Sequence, residues 1–127
     1  MAEDLDGKQV LIVDDDRDIL QAMETTLSDL GAEVLTATDG NQAVSLAEEH
    51  TPDLVVLDQM LPKKSGFLVM EKFRKLPKEE RPKVIMITGN QGARHKIYAQ
   101  SLGVNAYLNK PFRMEKLAEE VKKVLGL

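Results

Sequence analysis

Apolar runs and helix-like stripes alternate five times along this chain. Val10 to Val13, Leu54 to Leu57 and Val84 to Ile87 are unbroken apolar stretches bounded by polar and turn residues, as in strands buried on both faces. With two shorter runs they place strands at 9–13, 33–37, 54–57, 83–88 and 105–108. Between and after them, apolar residues recur at helical spacing and predict helices at 16–30, 41–50, 65–75, 92–102 and 113–125. Ile19, Leu20, Met23, Leu27 and Leu30 share one face of the first helix, and Gly31 suits a left-handed stop after it. Gly66, Met70 and Phe73 stitch the third; Met114, Leu117, Ala118, Val121 and Leu125 do the same for the last. The fourth has the poorest stripe, Ala93, Ile97 and Leu102. Thr51-Pro52-Asp53 and the stretch from Pro77 to Pro82 read as turns.

Strict alternation of strand and helix gives a parallel sheet covered by helices on both faces, an α/β architecture. Right-handed crossovers leave few topologies for five strands. The order 2-1-3-4-5, the flavodoxin-like doubly wound arrangement, puts its switch point between strands 1 and 3, and ligands bind beyond the carboxyl ends there. The 127 residues fit a single domain, 1–127, and a stand-alone protein is the expectation.

Composition narrows the setting. No apolar run approaches the roughly 20 residues a membrane helix needs, so membrane insertion is not expected. The acidic, polar start is the opposite of a secretory signal. Zero cysteines exclude disulfides and thiolate metal sites and fit a cytoplasmic setting. A net charge of -4 argues against direct nucleic-acid binding.

Candidate chemistry follows the strands. Asp14, Asp15 and Asp16 come directly after strand 1, Asp58 after strand 3, Thr88 closes strand 4, and Lys110-Pro111 follow strand 5. In the order 2-1-3-4-5, strands 1 and 3 are neighbours about 4.8 Å apart, so Asp14, Asp15 and Asp58 share a crevice. Carboxylates that close are costly unless a cation neutralises them or a proton is taken up. Oxygen ligands without His or Cys suit Mg²⁺. One of Asp15 and Asp16 also suits the cap of the first helix, but a cap needs one carboxylate and three stand in succession. Asp58 is placed to attack phosphorus as an aspartyl nucleophile, with the metal offsetting repulsion between anions. Lys110 and Thr88 have the reach to meet the same phosphoryl group.

These residues closely resemble the receiver domain of two-component response regulators, of the chemotaxis type, from about Lys8 to the C-terminus. The family's acidic pair, phosphoacceptor, hydroxyl and Lys-Pro correspond to Asp14 and Asp15, Asp58, Thr88, and Lys110 with Pro111. The segments Leu57-Asp58-Gln-Met-Leu-Pro62-Lys-Lys-Ser-Gly66 and Ala106 to Phe112 match as well. The resemblance implies Mg²⁺ held directly by Asp15, Asp58 and the Met60 backbone carbonyl, with Asp14 acting through water. It also implies a cis peptide at Pro111 and a switch pair, Thr88 and Tyr107, that rearranges the face of helix 4, strand 5 and helix 5. A phosphoryl group would come from a histidine kinase or histidine phosphotransfer protein, and a downstream target or output domain would read the switched face. Met60 and Asn90 occupy the two positions that tune phosphoryl lifetime. Gly89 stands where Ala is frequent, Ser65 where Asp is frequent, and Asn105-Ala106 where an acidic pair is frequent.

Two other readings fit part of this pattern. A phosphorylation-independent interaction domain on the same fold is one. An Mg²⁺-dependent aspartyl phosphohydrolase is another, but such enzymes carry a second Asp where this chain has Met60. No Gly-rich nucleotide motif is present. Arg74, Lys75, Lys78, Arg81 and Lys83 read as a solvated basic stretch, and His50 and His95 have no metal-ligand spacing.

Overall fold

Strands β1 (Gln9–Val13), β2 (Glu33–Ala37), β3 (Leu54–Asp58), β4 (Lys83–Thr88) and β5 (Ala106–Asn109) form one parallel sheet in the order β2-β1-β3-β4-β5. Helices α1 (Arg17–Asp29), α2 (Gly40–His50), α3 (Gly66–Arg74), α4 (Ala93–Ser101) and α5 (Met114–Val124) connect and close them. The computed structural model describes residues 4–89 and 93–127. The five-stranded parallel sheet and its order are as the sequence predicts.

Period-2 geometry sorts each apolar run between the two faces. Val10, Ile12, Leu54, Val56, Ile85 and Ile87 pack with Leu20, Met23 and Leu27 of α1 and Leu117 and Val121 of α5. Leu11, Val13, Val55, Leu57, Val84 and Met86 pack on the other side, with residues of α2, α3 and α4. Both sides being apolar is why these strands read as continuous runs.

The starts of α1, α2 and α3, beyond the carboxyl ends of strands, are set by short side chains. Asp16 Oδ1 accepts from the Asp18 and Ile19 N–H groups at 3.0 and 3.3 Å. Asp39 Oδ1 accepts from Gln42 N–H at 2.8 Å, and Ser65 Oγ from Leu68 N–H at 3.3 Å. Each such cap contributes about 1 kcal/mol and fixes where the chain turns away from the sheet.

Three details depart from the sequence expectations. β3 and β5 run one residue further, to Asp58 and Asn109, because the ladder pairs Asp58 with Ile87 and Thr88 with Asn109 regardless of side-chain polarity. A 3-10 turn, Lys78–Glu80, lies within the stretch from Pro77 to Pro82. In α4 the expected stripe through Ile97 is wrong: Ile97 is 64% exposed, while Ala99 and Leu102 are buried. The inward line is His95, Ala99, Leu102, a spacing of i, i+4, i+7 whose first member is polar. Among the described residues no helix is long and apolar enough to cross a membrane.

Candidate functional site

Parallel register brings the strand ends level. Val13 pairs with Leu57, so the residues that follow, Asp14 and Asp58, leave neighbouring strands side by side. Asp14 is fully buried, Asp58 is 3% exposed and Asp15 is exposed. Carboxylate oxygens of Asp14, Asp15 and Asp58 lie within 4.8 Å of one another. Asp16 is drawn off as the α1 cap, so the three successive aspartates divide between the cluster and the helix start.

Lys110 reaches this cluster from the far side of the sheet. Its Nζ lies 3.0 Å from Asp14 Oδ2 and 3.2 Å from Asp58 Oδ2. The Lys110–Pro111 peptide is cis. Asp14 Oδ1 accepts from Asp16 N–H at 2.9 Å, and Asp58 Oδ1 from Met60 N–H at 3.1 Å. The Met60 backbone therefore sits at the cluster while its side chain, 69% exposed, points away.

The electrostatics are those of crowded like charge. Burial, reinforced by the Asp14 carboxylate, pushes the Asp58 carboxyl up to about 6, against the opposing pull of the Met60 N–H and Lys110. Burial alone would lower Lys110, yet its bond to Asp14 and the charges of Asp58 and Asp14 outweigh that and raise it. One ammonium, in contact with two of the three carboxylates, leaves the cluster negative. Clustered oxygen donors of this kind fit a small hard dication.

Thr88 is fully buried at the end of β4, between the strands bearing Asp58 and Lys110. Its side chain hydrogen-bonds with that of Tyr107, whose hydroxyl is raised above its ordinary value by burial. The Tyr107 hydroxyl also donates to Gln59 Oε1 at 3.4 Å. Asp14, Asp15, Asp58, the Met60 backbone, Thr88, Tyr107 and Lys110 are thus gathered at one end of the sheet; Asn90 falls outside the described residues.

Sequence reasoning missed Gln59 and His95. Gln59 is 4% exposed, and its Nε2 lies 2.9 Å from His95 Nδ1. A helical template that allowed one polar residue on the inward face would have flagged His95. The basic stretch lies elsewhere. Arg81 Nε donates to the Leu76 carbonyl at 2.9 Å and Lys83 Nζ to that of Val124 at 3.1 Å, so two of its cations serve chain ends and turns.

The family model for the response regulator receiver domain matches residues 10–122. The chain belongs to this family. It is a receiver domain of two-component response regulators, a signalling phosphoacceptor family. Among solved structures, a CheY-like response regulator receiver domain protein from Methanospirillum hungatei is 32% identical, with a TM-score of 0.87 over 94% of each chain. The receiver domain of the sensor histidine kinase PA1611 from Pseudomonas aeruginosa is 29% identical, with a TM-score of 0.85 over 95% of this chain and 99% of that one. That protein has a magnesium ion coordinated in its active site cleft. A probable transcriptional regulator, ycf27, from Porphyridium aerugineum is 36% identical over 93% of this receiver and 48% of its own length. The receiver spans about half the length of the curated relatives it matches.

Proposed function

We propose that Asp58 is the phosphoacceptor of this receiver and that Asp14, Asp15, Asp58 and the Met60 carbonyl hold Mg²⁺ beside it. The observation that carries this reading is the Lys110 ammonium seated between Asp14 and Asp58, with Asp58 driven up to about 6 by burial and by Asp14. A cluster in that state favours the arrival of positive charge, and its donors are all oxygen. Asp15 is the exposed member and Asp14 is already engaged by Lys110 and Asp16 N–H, which favours direct ligation by Asp15 and Asp58 and an indirect part for Asp14. When bound, the cation supplies charge neutralisation between the attacking carboxylate and the incoming phosphoryl group.

The step itself is an in-line transfer. A carboxylate oxygen of Asp58 forms the new P–O bond as the N–P bond to a partner's phosphohistidine breaks, and the imidazole leaves with that electron pair and takes up a proton. Lys110 pairs with a phosphoryl oxygen in exchange for its contact with Asp58, and the Thr88 hydroxyl donates to another. Water attacking the same phosphorus returns free carboxylate and phosphate, so the domain carries its own reset. A histidine kinase or a histidine phosphotransfer protein is the donor. The output is a downstream target or domain rather than nucleic acid bound by this receiver itself; the name of the ycf27 relative, a transcriptional regulator, fits such an output.

Intact mass after incubation with a small phosphodonor, with Mg²⁺ or EDTA, tests this on wild type and Asp58→Ala. One added phosphoryl group that needs both the metal and Asp58 is expected. Absence of any adduct on the wild type, or labelling that survives Asp58→Ala, refutes the assignment.

A further inference from the structure

A buried carboxamide separates the charge cluster from α4. The Gln59 main chain is fixed: its N–H donates to Ile87 O at 2.8 Å and its carbonyl accepts from Gly66 N–H at 2.9 Å. Its side chain faces two other elements. Oε1 accepts from the Tyr107 hydroxyl of β5, and Nε2 meets His95 Nδ1 of α4. A carboxamide nitrogen only donates, so Nδ1 is the acceptor in that pair. His95 stacks on Phe67 of α3, with ring centroids 6.1 Å apart, and Phe67 meets Tyr98 of α4 edge-on at 4.9 Å. One side chain, adjacent in sequence to Asp58, therefore holds both β5 and α4.

Resting on the receiver reading above, we propose that Gln59 is a positioning residue of the switch, its carboxamide tying the Tyr107 ring and α4 to the strand that carries Asp58. The two ends of the tether differ. The contact to His95 has full hydrogen-bond length at 2.9 Å, whereas 3.4 Å is long for a hydroxyl donor, which prefers less than about 3.0 Å. Tyr107 at present has a second partner, the Thr88 side chain. Once that hydroxyl turns to a phosphoryl oxygen, the half-buried phenol loses it and is left with Gln59 Oε1 as its acceptor. Gln59 Oε1 is already in place, and a small inward movement of the ring shortens the slack contact. The same amide holds His95, so the closing ring and α4 respond together. A polar residue that merely satisfied itself in the core would affect stability and leave this coupling untouched.

NMR of the full chain with Mg²⁺ and beryllofluoride, a phosphoryl mimic, separates the two. In wild type, saturable shifts are expected at Met60, Thr88 and Lys110, and also at Tyr107 and along α4. In Gln59→Leu the first set persists, while the shifts at Tyr107 and α4 fall below half. The inward ring population drops roughly 2–10-fold, the equivalent of one net hydrogen bond. In His95→Ala, on a partly exposed position, the α4 response falls and the Tyr107 response remains; this variant decides alone if Gln59→Leu does not fold. Undiminished Tyr107 and α4 shifts overturn the tether. No saturable response in wild type overturns the receiver reading itself, and the tether with it.

Discussion

Asp58 is an acid placed where its charge is poorly solvated, and that has a measurable cost. Its carboxyl titrates near 6 in the folded chain against 3.8 for a free side chain, so between those values the folded state holds a proton the unfolded chain has lost. The contribution of Asp58 to stability without metal is therefore highest below about pH 4, declines as the pH rises to about 6, and levels off above. The drop amounts to about 3 kcal/mol. Urea unfolding in EDTA at several pH values should show this slope, and Asp58→Asn should flatten it and raise stability at neutral pH. A wild type that gains stability relative to Asp58→Asn as the pH rises over the same range would contradict the assignment. Lys110→Met should act in the opposite sense, since Asp14 is fully buried and loses the ammonium 3.0 Å away. A loss of about 3 kcal/mol at neutral pH is expected, shrinking in acid as Asp58 takes up its proton.

At the scale of elements, close approach of backbones governs tolerance. A Cβ on Gly66 would lie 2.6 Å from the Asp58 carbonyl and 2.8 Å from Gln59 Cα, and neither atom can swing aside. Gly66→Ala should cost about 1–3 kcal/mol in urea unfolding and slow labelling of Asp58, because α3 then pushes on the strand end that carries Asp58, the proposed acceptor. Gly89→Ala, where a Cβ meets nothing within 4 Å, is the control and should stay within about 0.5 kcal/mol. Equal losses at both positions would show that local crowding is not the cause. Elements of this kind were legible in the sequence to differing degrees. β1, β3 and β4 were plain because both faces of each are apolar, and a cap by Asp15 or Asp16 followed from their place before a helical stripe, Asp16 being the one that caps. The inward face of α4 was misread because one of its three positions is His95, which only makes sense beside Gln59. That partnership spans 36 residues, and Gln59 reaches Tyr107 across 48, so nothing local marks it. The cluster of Asp14, Asp58 and Lys110 spans still more of the chain, but strand order alone was enough to bring its members together.

Across the whole molecule, ligation at one end of the sheet is linked to global unfolding. Mg²⁺ with a phosphoryl mimic at about 100 times the dissociation constant should stabilise the fold by about 2.7 kcal/mol and raise the Tm by roughly 10 °C. Asp58→Ala should abolish the increment, and a scanning calorimeter reads both; an undiminished increment in the variant would place binding elsewhere. The distribution of the cluster along the chain also gives it a history. Lys110 meets Asp14 across 96 residues and Asp58 across 52, with β4 laid between. During synthesis the acceptor strand leaves the ribosome long before the ammonium that steadies it. A half-made chain that lacks β5 lacks the ammonium contact to Asp14 and Asp58. On the proposed reading, competence to take a phosphoryl group on Asp58 thus arrives only with β5.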